Sequence, residues 1–148
     1  MKLSTRARYG TKALLDIAQH KDEGPVLLRD IAKRQGISED YLEHLLILLK
    51  AAGLIRSIRG NRGGFVLARS PSEIRLDEVV QVLEGEIALV ECVDNPEVCP
   101  HVDFCLTHVL WREVTSAMNR VLKSTTLQDL IEIEKKEATH ARESGRSS

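Results

Sequence analysis

Between Leu28 and Ala68 the order of helix breakers, caps and apolar residues leaves few folds open. Leu28 to Gln35 reads as a short helix with Ile31 and Ala32 turned inward, and Gly36 ends it. Ile37-Ser38 opens a second run, with Ser38 as N-cap and Glu39 and Asp40 in the first turn. Tyr41, Leu42, Leu45, Leu46 and Leu49 give that run a buried ridge up to Lys50. Two short helices about a glycine turn form the helix-turn-helix pattern. Gly53 stops the second helix, and Leu54 to Ile58 reads as a strand. Arg59-Gly60-Asn61-Arg62-Gly63-Gly64 is a glycine-rich turn, and Phe65 to Ala68 is the return strand. The sequence therefore predicts a mainly α fold with a small β-hairpin wing, a winged helix-turn-helix.

Upstream, the hydroxyls of Ser4 and Thr5 can cap a helix from Arg6 to about His20. Tyr9, Ala13, Leu14, Ile17 and Ala18 form its apolar stripe, leaving Arg6, Arg8 and Lys12 for solvent or phosphate. Charge supports a polyanion partner. Residues 1–70 carry 13 Lys+Arg against 7 Asp+Glu, a balance of +6, whereas residues 71–148 carry 8 against 15, a balance of −7. Arg59 and Arg62 at a flexible hairpin tip suit insertion along a minor groove, where negative potential is greatest. On the second helix of the pair, Glu39, Asp40, Glu43, His44 and Lys50 face outward as candidate base readers. Glu43 can accept a hydrogen bond from a cytosine N4 amino group, which would make it a discriminating residue. The plainer alternative is that Glu43 and Asp40 only solvate the helix.

Downstream of Ser70-Pro71-Ser72, a helix is expected with Asp77 and Glu78 in its first turn and Val79, Val80, Val82 and Leu83 inward, ending at Gly85. An acidic loop from Glu84 to Asp103 follows and carries two of the three cysteines. All three, Cys92, Cys99 and Cys105, fall between Glu91 and Trp111 with His101 and His108. The Cys92-x6-Cys99-x5-Cys105 spacing lacks a short C-x2-C knuckle. Three thiolates and an imidazole can nevertheless ligate zinc or an iron–sulfur cluster, and spacing does not choose between them. Cys105 and His108 would project from one helical face. The alternative is three reduced cysteines packing as small apolar residues. A disulfide framework is disfavoured by the odd count, the chain's size and the absence of a leader pattern.

A long helix is expected from Phe104 to about Lys123, with Leu106, Leu110, Val114, Ala117, Met118 and Val121 along one stripe suited to pairing two copies. Thr125 or Thr126 should cap a final helix to about Ala138. The expected organisation is a DNA-binding module at 1–70, a cysteine loop with dimerisation helices at 71–138, and a disordered tail at 139–148. No run approaches the roughly 20 apolar residues of a membrane span, so a cytoplasmic protein without a membrane partner is expected. No phosphate-binding glycine loop or Ser/His/Asp arrangement signals an enzyme.

The stretches LSTRARYGTKALLDIA, DIAKRQGISEDYLEHLL, GLIRSIRGNRGGFVLA and CLTHVLWREV, with two cysteines upstream of the last, resemble the winged-helix repressor family of the bacterial iron–sulfur cluster assembly regulator. The similarity spans roughly residues 1–135. It implies a homodimer on a pseudo-palindromic double-stranded operator, with a [2Fe-2S] cluster on Cys92, Cys99, Cys105 and His108. It also implies that Ser38, Tyr41, Glu43 and His44 approach DNA and that Arg59 is the wing arginine. His44 stands where glutamine is commoner in the family, and Cys92-x6-Cys99 is one residue longer than its usual spacing. A nitric-oxide or redox-responsive repressor with the same cluster, or a structural zinc protein that binds DNA, remains the alternative.

Overall fold

The computed structural model describes residues 3–98 and 100–146. Ser4, in extended conformation, accepts a hydrogen bond from the Ala7 N–H and starts α1, Thr5–Gln19. Its buried face is Ala7, Ala13, Leu14, Ile17 and Ala18, with Gly10 and one carboxylate, Asp16. After the turn at Lys21–Glu23, α2 spans Leu28–Gln35, the bounds expected from the sequence. Gly36 adopts a left-handed conformation, φ 67, which turns the chain sharply enough for Ser38 to cap α3, Glu39–Ala51. Leu42, Leu45, Leu46 and Leu49 of α3 are fully buried against α1. Each buried leucine contributes about 2 kcal/mol of transfer free energy.

The wing pairs β1, Ile55–Ile58, with β2, Gly64–Leu67, in antiparallel register from Ile55 opposite Leu67 to Ile58 opposite Gly64. Val26 and Phe65 exchange backbone hydrogen bonds of 2.9 and 2.8 Å, which fastens the hairpin to the segment before α2. That approach is so close that a Cβ at Gly64, φ 148, would stand 2.6 Å from the Val26 carbonyl oxygen. A side chain at that position would therefore displace the wing.

The core continues past residue 70. Helix α4, Leu76–Glu84, buries Val79 and Leu83 with Ile74 in the same cluster as α1 and α3, and Leu127 closes that cluster. Val80 is buried and Val82 half-buried, as the periodicity indicated. Leu83 packs directly over the Cα of Gly10. Helix α6, Leu106–Ser124, and helix α7, Leu127–Arg146, meet in a turn pinned to the start of α4 by Leu76 N–H to Thr125 O and Leu127 N–H to Ile74 O, both 2.9 Å. Thr126, rather than Thr125, caps α7. Its hydroxyl accepts from the Asp129 N–H at 3.1 Å while the Asp129 carboxylate accepts from the Thr126 N–H at 2.9 Å, a reciprocal capping pair.

Asp16 is 1% exposed, yet three bonds satisfy it. Arg34 donates through Nε at 2.9 Å and Nη2 at 2.6 Å, and Gln35 donates through Nε2 at 2.9 Å. This bridge joins α1 to the last turn of α2. Burial works against the Asp16 charge, but the donors from Arg34 and Gln35 outweigh it and hold the carboxyl below its ordinary 3.8.

Three expectations need correction. The segment from Glu84 to Asp103 is not one loop: Glu84 closes α4, α5 spans Glu91–Asp94, and single 3-10 turns occupy Pro96–Val98 and Val102–Phe104. Such short turns close through local bonds, Asn95 N–H to Glu91 O at 2.9 Å and Phe104 N–H to His101 O at 3.1 Å, without any apolar periodicity to announce them. The long helix begins at Leu106, so Cys105 is its extended N-cap and not a helical residue. Finally, α7 runs to Arg146, beyond Ala138 and into the stretch where disorder was expected. Among the described residues no helix is long and apolar enough to cross a membrane.

Candidate nucleic-acid interface and metal centre

The outward face of α3 carries Asp40, Glu43, His44 and Lys50, all exposed. Ser38 is exposed at the N-cap, where its hydroxyl accepts from the Tyr41 N–H at 3.1 Å. That hydroxyl therefore has its own task in ending the turn, whatever else it meets. Tyr41 is half-buried, its Oη 2.8 Å from the Thr5 hydroxyl and its ring edge-on to Tyr9 at 6.4 Å. Arg8 and Lys12 lie over the Tyr9 ring at 5.8 and 5.3 Å. The basic side of α1 and the first turn of α3 thus form one continuous surface. Arg6 is exposed on that side, and Arg59 and Arg62 are exposed at the wing tip. None of the three forms an ion pair among the described residues, which leaves their charge available to a polyanion. Lys50 instead donates to Ser57 Oγ at 2.8 Å and ties the end of α3 to β1. Thr5 and Tyr9 were not among the sequence candidates, because the contact of α1 with α3 is non-local.

Of the four candidate ligands, the structure brings two together. His108, in the first turn of α6 and 9% exposed, places Nδ1 3.3 Å from Sγ of Cys92 in α5. The strap between α4 and α5 lies on α6 through Leu89 N–H to Thr115 Oγ1 at 3.4 Å, which holds Cys92 over the start of that helix. Cys105 is half-buried with Sγ 3.0 Å from the Thr107 hydroxyl. The Thr107 hydroxyl, followed by the backbone N–H of His108, holds the Cys105 thiol below its ordinary 9.0 and favours thiolate. Cys99 lies outside the described residues. His101 is exposed in the turn before Phe104. Among the described residues no three His, Cys, Asp or Glu side chains converge on one point. The donor set, soft thiolates with an imidazole, nonetheless matches what zinc or an iron–sulfur cluster takes, and the Cys92–His108 pair is half of it.

These features have counterparts in known proteins. A family model described as Rrf2, iron-dependent transcriptional regulator, matches residues 3–133. The chain belongs to the Rrf2 family of transcriptional regulators. The protein rrf2 of Nitratidesulfovibrio vulgaris is 49% identical over 131 residues, covering 88% of this chain and 87% of that protein. The HTH-type transcriptional regulator IscR of Photorhabdus laumondii is 41% identical over 131 residues, covering 88% and 79% respectively. The solved structure of T. potens IscR aligns with a TM-score of 0.77 at 39% identity over 93% of this chain and 90% of that one. Rrf2-family membership makes the chain a DNA-binding transcriptional regulator and not an enzyme, and the winged-helix reading of its sequence stands.

Proposed function

We propose that this Rrf2-family regulator is a repressor whose DNA binding responds to a [2Fe-2S] cluster held by Cys92, Cys99, Cys105 and His108, and that it controls cluster-assembly genes. The observation that carries the reading is the approach of His108 Nδ1 to Cys92 Sγ from two different helices. The family description as iron-dependent and the relatives named IscR support it. Cys92 of α5 and Cys105 and His108 at the start of α6, with Cys99, would hold the cluster, which would supply redox sensitivity there. The chain's own residues do the rest. Thr107 and the His108 N–H favour the Cys105 thiolate, and the near-complete burial of His108 restricts water at the imidazole.

The regulator acts as a homodimer in this reading. Leu106 is 86% exposed, and Leu110, Val114 and Val121 continue its exposed stripe along α6 among the described residues. A two-fold copy packed on that stripe would present two α3 helices to a pseudo-palindromic operator. Glu43, His44, Ser38 and Tyr41 would then face the major groove, and Arg6, Arg59 and Arg62 the backbone and minor groove. In functional terms residues 1–70 read DNA and residues 71–138 sense and dimerise. The test is metal analysis with absorption spectroscopy of protein purified without oxygen. Iron with equimolar sulfide supports the reading, zinc alone gives the structural-zinc alternative, and loss of the bands on nitric oxide exposure gives the nitric-oxide variant.

A further inference from the structure

The end of α4 is fastened to the reading end of the amino-terminal module. Glu84, the last residue of α4, accepts from the Ser4 backbone N–H at 3.1 and 3.3 Å through its two carboxylate oxygens, and from the Ser4 hydroxyl as well. Beside it Leu83 sits over Gly10, where a Cβ would come within 2.4 Å of Leu83 Cδ1. Both contacts lock the last turn of α4 onto α1. The next residue along α1, Thr5, holds the Tyr41 hydroxyl at 2.8 Å in the first turn of α3. On the other side of Glu84 comes Gly85, φ 87, where the chain leaves α4 for the segment that carries Cys92.

We propose that Glu84 is a positioning residue for DNA reading, acting through Ser4 and Thr5 on Tyr41, so that the placement of α3 depends on the conformation of the cysteine-bearing segment. This rests on the reading of that segment as metal-responsive. Three features of the contact support it. The Glu84 carboxylate at the N-terminus of α1 is held by the Ser4 backbone N–H and hydroxyl, where the helix dipole also favours negative charge, so its attachment is directional. Ser4 uses its hydroxyl in both directions, donating to Glu84 and accepting from Ala7, so a shift of Glu84 is felt at the cap of α1 itself. Packing of Leu83 on a bare Cα leaves no slack for α4 to slide without moving α1. A clamp that only stabilised the fold would weaken binding to all DNA equally. A positioning contact alters the difference between the metal-loaded and metal-free proteins.

The experiment uses full-length wild type, Glu84→Ala, Glu84→Gln and Thr5→Val, each metal-loaded and metal-free. The probes are two duplexes of about 30 base pairs, long enough for two half-sites, enriched from random DNA by the loaded and by the metal-free wild type. The readout is the ratio of affinities for the two duplexes in each state. Glu84→Ala and Thr5→Val should keep the wild-type cluster spectrum while the change of this ratio on loading falls by about fivefold or more toward none. Glu84→Gln, which still offers a carbonyl oxygen to Ser4, should stay within about twofold of wild type. Amide exchange at Ala7 and Arg8 should respond to loading in wild type and not in Glu84→Ala. Unchanged ratios in both Glu84→Ala and Thr5→Val would overturn the inference and leave metal sensing intact. A wild type whose ratio ignores loading would overturn metal sensing, and the inference with it. If Glu84→Ala does not fold, Thr5→Val alone decides.

Discussion

Arg34 grips Asp16 with two hydrogen bonds, at 2.6 and 2.9 Å, and this ion pair ties α1 to the last turn of α2. Asp16 is buried while Arg34 remains partly open to solvent, so the carboxylate depends on its partners more than they depend on it. Asp16→Asn should lower stability by about 2–3 kcal/mol at neutral pH, measured by urea unfolding. The folded-state pKa lies below the ordinary 3.8, so the contribution is complete above about pH 4 and is lost as pH falls through the folded value. The gap between wild type and Asp16→Asn should therefore narrow in acid, and a gap independent of pH would show that the charge is not what stabilises.

Affinity and specificity should separate in the reader. Arg59 is exposed at the wing tip and forms no ion pair among the described residues, so Arg59→Ala should weaken binding to all operators and reduce the salt slope by about one. Glu43 offers no attraction to phosphate. Glu43→Ala should relax discrimination at one base position by about 1–3 kcal/mol. Binding titrations over several salt concentrations and varied operators distinguish the two, and equal, sequence-independent losses would contradict this division of labour.

Replacing Leu110 and Val114 with charged residues should shift the protein toward monomer in sedimentation at micromolar concentration while circular dichroism stays unchanged. Both side chains are exposed along α6, Leu110 at 52% and Val114 at 36%. A wild type that sediments as a monomer at that concentration would remove the dimer from the account.

How much of this was legible depended on the range of the interactions. Helices α2 and α3 could be bounded from sequence because Gly36 and Ser38 act on their own neighbours. The wing was equally plain, since Gly63 meets close local approaches from Ile58 and Gly60 within the hairpin, whereas the approach of Gly64 to Val26 is long-range and was not legible. The start of α6 was placed two residues early, with Cys105 inside the helix, because N-caps are usually Ser, Thr, Asp or Asn and a thiol gives no such signal. The helix past Ala138 was missed since Gly145 and the serines argue against it, whereas Thr139 bonds back to the Lys135 carbonyl at 2.9 Å within the helix. The bonds from Glu84 to Ser4 and from Arg34 to Asp16 join residues distant in sequence. Asp16 on an otherwise apolar stripe was the one available hint that a buried partner existed.

The Cys105 thiol should be readily alkylated in metal-free protein. Its hydrogen bonds from Thr107 and from the His108 N–H favour thiolate, so iodoacetamide alkylation at Cys105 should rise with pH through a midpoint below 9.0. Thr107→Val should move that midpoint upward. A midpoint indifferent to Thr107 would mean that the hydroxyl does not bond the sulfur in solution.

In the proposed reading Cys92 and His108, 3.3 Å apart, are two ligands of one iron–sulfur centre. Imidazole coordinates only in its unprotonated form, so acid must compete with the metal. The most direct measurement is the absorption and electron paramagnetic resonance of anaerobically loaded wild type, His108→Ala and His101→Ala, followed from neutral to mildly acidic pH. His108→Ala should alter both spectra and the pH at which the bands are lost, while His101→Ala should match wild type in each. Identical spectra and acid sensitivity in wild type and His108→Ala would contradict it, leaving His108 as a packing residue beside Cys92.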